Sequence, residues 1–108
     1  MRRALFTIFA AGFVAPASLA APQVNTPTVG AHLAQTLCVQ CHAVGTEAEK
    51  HSADPQAPRF VDVAHMPSTT ELSLKVFLRS SHRNMPDFML APDEIDSLTA
   101  YVLGLRGK

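Results

Sequence analysis

The sequence has 108 residues and contains few residues of several types that often mark a binding site or a repeat architecture. It contains no Trp and only two Cys, and it shows no internal repeat and no low-complexity tract. A structural zinc site usually has four ligands, and no second pair of Cys is present to complete one. The length fits a single domain, because ordinary domains have roughly 100–150 residues.

Basic residues are also scarce. Two of the nine Lys and Arg residues, Arg2 and Arg3, lie in the first twenty positions. Residues 21–108 therefore carry seven basic against nine acidic side chains, a formal charge of −2. Proteins that bind nucleic acids normally show a basic patch, so we predict no nucleic-acid partner.

The sequence has no apolar run long enough for a typical membrane span. The apolar stretch that begins at Ala4 ends by Pro16, whereas a spanning helix needs about 20 apolar residues. A basic start, a short apolar stretch and the small residues 17–20 are typical of a secretory signal peptide. We predict cleavage after Ala20, export to the periplasm and no stable membrane insertion after cleavage. The alternative is that residues 1–20 are retained as an anchor.

Local patterns in the first two thirds of the chain predict a helix and a long loop. Two Pro in residues 21–27 indicate an arm without helix. Apolar residues recur every four positions over residues 28–37, which predicts an amphipathic helix that runs directly into Cys38. Residues 43–67 show no sustained period, and we predict a long loop with one short turn at residues 60–64.

Two more helices are predicted in the last third. The first begins at Ser68, because Ser68-Thr69-Thr70-Glu71 matches a capping box, and it extends to about Ser80. Its apolar face consists of Leu72, Leu74, Val76, Phe77 and Leu78. A loop over residues 81–91 follows, and the last helix starts at Pro92. Its buried stripe consists of Ile95, Leu98, Val102 and Leu105. The predicted fold class is all-α.

The residues with the clearest chemical role lie in the segment Cys38-Val39-Gln40-Cys41-His42. This C-x-x-C-H motif is the signature of covalent c-type haem attachment. Two thiols three positions apart can reach the two vinyl groups on one edge of a porphyrin, and the adjacent imidazole can coordinate the iron. A disulfide, a thioredoxin-like redox pair and a zinc site are the alternatives. A thioredoxin-like pair would follow a strand, whereas a helix is predicted before Cys38.

Three further stretches accompany the motif. Gly30 lies eight residues before Cys38, Leu98-Thr99-Ala100-Tyr101 lies in the last predicted helix, and residues 84–88 (Asn-Met-Pro-Asp-Phe) lie in the loop before it. With the motif, they resemble a small bacterial class I cytochrome c over about residues 28–106. The resemblance implies a monohaem cytochrome c domain in residues 21–108, with about three helices and long loops around one covalent haem. In that family, the glycine lets the aromatic residue of the last helix approach.

The resemblance also implies roles for individual residues. Cys38 and Cys41 would hold the haem, and His42 and Met85 would be the axial ligands of its iron. The carbonyl of Pro58 would accept a hydrogen bond from His42 and thereby orient the imidazole.

Two positions depart from the family pattern. Ala34 replaces the usual aromatic residue of the first helix, and the absence of Trp removes the indole that contacts a haem propionate in the family. The propionate partners are therefore open, with Arg59 as a guess.

Other methionines and histidines compete for the sixth position on the iron. Met66 and Met85 both precede a Pro, but only Met85 lies in the loop between the second and third predicted helices. We therefore predict Met85 as the ligand, Met66 as core or surface filler and Met89 as core. His32, His51, His65 and His82 are interpreted as surface or hydrogen-bonded residues.

The function implied by the resemblance is electron transfer. We expect a periplasmic monomer that shuttles single electrons between redox proteins through its haem c and is not itself an enzyme. The first alternative is a dedicated cytochrome c subunit of a periplasmic dehydrogenase or oxidase complex. The second is a gas sensor or peroxidase with a five-coordinate haem.

Overall fold

The computed structural model describes residues 26–47 and 50–108, which form four α-helices and contain no β-strand. The helices are α1 (Pro27–Leu33), α2 (Phe60–His65), α3 (Glu71–Leu78) and α4 (Pro92–Gly104). The prediction of an all-α fold is confirmed. No helix in these two segments is long and apolar enough to cross a bilayer.

The first helix begins earlier than predicted and reaches the motif as predicted. Pro27 was assigned to the arm, but it forms the first turn of α1, where its missing N–H is not needed. The Thr26 hydroxyl caps this turn by accepting a hydrogen bond from the Val29 N–H at 3.3 Å. After Leu33, the chain continues as a π-helical turn, Ala34–Cys38. The rest of the predicted arm, residues 21–25, and the predicted signal peptide lie outside the described residues.

The short turn predicted inside the long loop is present as α2. The backbone N–H of Phe60, the first residue of α2, donates to the Ala43 carbonyl at 2.9 Å. Farther back in the loop, the Asp54 N–H donates to the Cys41 carbonyl at 3.1 Å. The loop therefore folds back on the motif at two points.

The start of α3 corrects the predicted capping box. The N-cap is Thr70 and not Ser68, and its partner is Ser73 and not Glu71. The Thr70 hydroxyl accepts the Ser73 N–H at 3.1 Å, while the Ser73 hydroxyl accepts the Thr70 N–H at 2.8 Å. The carboxylate of Glu71 instead pairs with Lys75 at 2.6 Å. The same lysine pairs with Asp96 of α4 at 2.9 Å, which ties α3 to α4.

The apolar face predicted for α3 is mostly exposed. Leu74 is buried, but Leu72, Val76 and Phe77 are 73%, 58% and 53% exposed. Among the described helices, α3 packs mainly on α4, so only a narrow stripe of its surface is covered. The remaining apolar side chains form the α3 outer face (Leu72, Val76 and Phe77).

The last helix forms the centre of the fold. All four residues of its predicted stripe are buried, each no more than 4% exposed: Ile95, Leu98, Val102 and Leu105. Helix α1 packs closely against α4 at Gly30, where a Cβ atom would lie 2.0 Å from the Ser97 carbonyl oxygen and 2.8 Å from the Tyr101 Cβ. The predicted close approach at Gly30 is therefore present, because only glycine leaves room for it.

The C-terminal end of the chain is held by Arg106. Its side chain lies in the 3₁₀ turn Leu105–Gly107 and donates to the carbonyls of Ala64 and Thr69. These carbonyls belong to the end of α2 and to the link before α3. One guanidinium thus connects three elements.

Candidate functional site

The motif forms a tight turn at the end of the first helix. Cys38 is the last residue of the π-helical turn, and its carbonyl accepts hydrogen bonds from the N–H groups of Cys41 at 3.1 Å and His42 at 2.9 Å. Because π-helical segments widen the helix locally, they recur at functional sites. The turn brings both thiols and the imidazole of the motif to one place.

The two cysteines are free thiols in different surroundings. Cys38 is buried, whereas Cys41 is half-buried. Burial, with a smaller contribution from neighbouring Cys41, raises the pKa of Cys38 to about 11. Reactive cysteines of redox pairs have lowered pKa values, and no strand precedes Cys38 in the described chain. Both observations disfavour a thioredoxin-like pair.

The imidazole of His42 is oriented by two neighbours. Its Nδ1 lies 2.6 Å from the Pro58 carbonyl oxygen, the contact that the family resemblance implies. A carbonyl can only accept, so Nδ1 carries the proton of the neutral ring and Nε2 keeps a free lone pair. The ring also packs against Phe60 with centroids 5.2 Å apart. His42 is thus prepared to act as an Nε2 ligand.

The loop that carries Pro58 is held at several points. The Ala43 N–H donates to the Ser52 hydroxyl at 3.0 Å, close to the motif. The Tyr101 hydroxyl of α4 donates to the Val44 carbonyl at 2.6 Å. Burial is the main cause that raises the pKa of Tyr101, with a smaller contribution from Glu47, so the phenol stays a donor. Tyr101 of the Leu-x-x-Tyr stretch therefore connects α4 to the loop beside the motif.

Met85 lies on a second tight turn, between α3 and α4. Its N–H donates to the His82 carbonyl at 2.9 Å, and Arg83 inside the turn has a left-handed backbone with φ of 49°. The side chain of Met85 is half-buried. The turn places it on a cavity wall.

One cavity of about 310 Å³ collects every predicted site residue: Cys38, Cys41, His42, Pro58 and Met85. The motif, the long loop and the turn before α4 each contribute a wall. Leu37, Ala57, Pro86 and Phe88 add apolar surface. Typical ligand sites have this size and this mostly apolar lining with a few polar groups.

The remaining methionines lie elsewhere. Met66 is 43% exposed and does not line the cavity. Met89 was predicted to belong to the core, but it is 88% exposed. Its N–H donates to the Asp87 carboxylate at 2.9 Å and its backbone is left-handed, a local turn that leaves the side chain outside the core.

Among the histidines outside the motif, His82 is the one that lines the cavity within the described residues. Its ring meets the edge of Phe77 with centroids 4.9 Å apart, and Nδ1 lies 3.2 Å from the Ser80 carbonyl. By contrast, His65 Nδ1 lies 2.7 Å from the carbonyl of Val61, one turn back in α2.

The donor set fits a c-type haem better than a zinc ion. In residues 26–47 and 50–108, no group of three or more His, Cys, Asp or Glu side chains is arranged to hold a metal. A haem needs fewer protein donors, because its porphyrin supplies four nitrogens to the iron. The imidazole of His42 and the thioether of Met85 could supply the two remaining iron ligands, and the two thiols could attach the porphyrin, all on one largely apolar cavity.

Two charged residues of the cavity wall were missed by the sequence reasoning. Arg83 and Asp54 both line the cavity, whereas Arg59, the guessed propionate partner, does not. The Arg59 guanidinium forms two hydrogen bonds of 2.7 Å with the Asp62 carboxylate and lowers the pKa of that carboxyl. The proximity of Arg83 to Met85 in the sequence was the available signal.

Comparisons with known protein families, with curated proteins and with solved structures found no match to this chain.

Proposed function

We propose that this chain is an electron-transfer protein of the cytochrome c type. In this proposal, Cys38 and Cys41 bind one haem covalently, and the protein passes single electrons between a donor and an acceptor protein. The observation that supports it most is the shared cavity, which joins the C-x-x-C-H motif to a methionine distant in sequence. The bound haem would supply the redox chemistry by cycling its iron between Fe(II) and Fe(III).

The chain's own residues would bind the haem, orient it and enclose it. His42 would bind the haem iron through Nε2, because the Pro58 carbonyl holds the proton on Nδ1. Met85 would supply its thioether as a second protein ligand. A His/Met pair closes the coordination shell and raises the reduction potential, which suits electron transfer and leaves no open position for a substrate. The apolar wall residues would exclude water.

The proposal also includes the cellular location of the protein. Residues 1–20 would direct export to the periplasm as a cleaved signal peptide, and the mature protein would work there as a monomer. Covalent attachment requires both thiols in the reduced form, so in that oxidising compartment a disulfide between them would have to be prevented or reduced before the haem is attached.

A second candidate is a dedicated cytochrome c subunit of a periplasmic dehydrogenase or oxidase complex. The α3 outer face favours it, because contiguous exposed apolar residues often mark contacts with another protein. Affinity purification of the tagged protein from its own cells separates the two candidates. A stoichiometric enzyme partner would indicate a subunit, and a lone protein would indicate a free carrier.

The central test is covalent haem binding. The full chain is produced in a bacterium that expresses a periplasmic haem-attachment system, and the purified protein is denatured and extracted with acidic acetone. We expect the haem to stay with the polypeptide and the reduced protein to give a c-type visible spectrum. Cys38→Ala and Cys41→Ala variants serve as controls and should each lose one thioether bond. A wild-type protein with a Cys38–Cys41 disulfide and no haem would refute the proposal.

A further inference from the structure

The cavity wall includes an arginine beside the residues that would bind the haem. Arg83 lines the cavity beside Met85, and within the described residues it is the one Lys or Arg that does so. We propose that Arg83 binds a propionate group of the haem through its guanidinium and thereby raises the reduction potential. This inference rests on the proposed function.

The first argument is that Arg83 is uncommitted, whereas two arginines outside the cavity are engaged. The guanidinium of Arg59 is held by Asp62, and that of Arg106 is held by two backbone carbonyls. In the described part of the chain, the side chain of Arg83 has no hydrogen-bond or ion-pair partner. It is therefore free to bind an anion in the cavity.

The second argument comes from the backbone. Arg83 has φ of 49°, a left-handed conformation that costs about 1 kcal/mol or more for residues other than glycine. Asn would adopt it more readily, and Asn occupies the next position of the turn. Arg83 is thus a long basic residue that lines the cavity although its backbone conformation disfavours it, which indicates that its side chain has a function there.

The third argument is chemical complementarity. A haem carries two propionates, and a guanidinium binds a carboxylate through two parallel N–H···O bonds. The one acidic wall residue among those described, Asp54, would repel a propionate. Its carboxylate already accepts the Gln56 N–H at 2.9 Å within its own loop. Arg83 is thus the wall residue best matched to a propionate.

The consequence is electrostatic. A positive charge near the haem disfavours Fe(III) relative to Fe(II), so its removal should lower the midpoint potential. At a fixed solution potential near the midpoint, the ratio of oxidised to reduced protein should then rise on the order of 2- to 10-fold. This range is expected for the loss of one unit charge when the effective dielectric constant lies between those of water and of a protein interior.

The experiment compares Arg83→Asn, Arg83→Lys and the matched control Arg79→Asn in the haem-loaded full chain. Arg79 is also exposed but lies outside the cavity. The readouts are the midpoint potential by redox titration and the propionate bending mode by resonance Raman spectroscopy. We expect Arg83→Asn to lower the potential and shift the mode, Arg83→Lys to keep most of the potential, and Arg79→Asn to change neither.

The outcomes separate this inference from the proposed function. Unchanged potential and Raman mode in Arg83→Asn, or equal changes in Arg79→Asn, would overturn the inference while leaving the haem assignment intact. Loss of the sulfur-to-iron band in Arg83→Asn would assign Arg83 to holding the Met85 turn and would also overturn it. A wild-type protein without covalent haem would refute the proposed function, and the inference with it.

Discussion

At the scale of single residues, the site depends on two side chains prepared by local backbone contacts. The Pro58 carbonyl sets the tautomer of His42, and the turn from His82 sets the position of Met85. Of the C-x-x-C-H motif, only His42 takes part in these two contacts. The assignment of Met85 as a ligand is therefore open to a direct test.

We predict that Met85, and not Met66, closes the sixth position. Met85→Ala should lower the midpoint potential, bind carbon monoxide and lose the long-wavelength sulfur-to-iron band of the oxidised protein, because a thioether favours Fe(II). Met66→Ala is the matched control and should keep the band. Since Met66 is 43% exposed, its loss should cost less than about 2 kcal/mol of unfolding free energy. Visible spectra and denaturant titrations measure these effects.

His82 complicates the Met85→Ala variant, because its ring lines the same cavity. An imidazole that moves to the iron would give a six-coordinate bis-histidine spectrum without carbon monoxide binding. The double variant Met85→Ala/His82→Ala removes this possibility. If Met66→Ala abolished the band while Met85→Ala retained it, the ligand assignment would be wrong.

At the scale of elements, the contact between α1 and α4 is the most extensive one between helices in the described fold. A Cβ at Gly30 would lie 2.0 Å from a backbone oxygen of α4, far inside van der Waals distance. Ridges and grooves of two helices cannot absorb such an overlap without separation of the helices. The π-helical turn and the motif follow directly, so any shift of α1 would reach the cavity.

We predict that Gly30→Ala destabilises the protein by about 3 kcal/mol or more, at the upper end of the usual overpacking cost, because the overlapping Ser97 atom belongs to the backbone. Gly104→Ala is the matched control in α4. A Cβ there meets nothing within 4 Å, so the gain in helix propensity should raise stability by up to about 1 kcal/mol. Urea denaturation monitored by far-UV circular dichroism gives both values. A Gly30→Ala protein as stable as wild type would contradict the described packing.

At the scale of the whole molecule, the described part of the chain is small, and a cavity of about 310 Å³ opens beside its core. Domains of this size bury a smaller share of their surface than larger ones, and many depend on a cofactor or a disulfide. Two segments outside the helices, residues 50–59 and 79–91, form most of the cavity walls. Their order would depend on the group that the cavity encloses.

We predict that haem attachment is required for folding. The variant Cys38→Ala/Cys41→Ala should be a largely disordered chain that proteases degrade rapidly, because the apolar wall would face water without the haem. Circular dichroism, thermal melting and limited proteolysis compare it with the haem-loaded protein. Native-like helicity with cooperative melting in the haem-free variant would show that the polypeptide core suffices.

Electron transfer to partner proteins should depend weakly on ionic strength. The sequence has three lysines, Lys50, Lys75 and Lys108. Of these, Lys75 is already paired with Glu71 and Asp96. Complementary fields accelerate association only where charge is concentrated, and salt weakens them. We therefore expect a mostly apolar docking patch and a nearly constant second-order rate in stopped-flow experiments across salt concentrations. A steep fall with added salt would reveal a concentrated charge patch.

Features that depend on residues close together in the chain could be predicted from the sequence. Local periodicity and proline chemistry predict the helix that runs into Cys38 and the buried stripe that begins at Ile95 in α4 and ends at Leu105, just after it. The residues that belong together in the cavity were also predictable, but only through the family resemblance, because Met85 and Pro58 are distant from the motif in sequence.

Tertiary structure alone decided the rest. Leu72, Val76 and Phe77 are as apolar as Leu74, yet only Leu74 is buried, because α3 packs mainly on one helix, α4. Met89 lies outside the core, because a turn at Asp87 directs the backbone away from it. Arg83 lines the cavity whereas Arg59 does not, because Asp62 holds the Arg59 guanidinium on the surface of α2. Burial and charge pairing depend on which elements meet, and local sequence patterns carry no information about that.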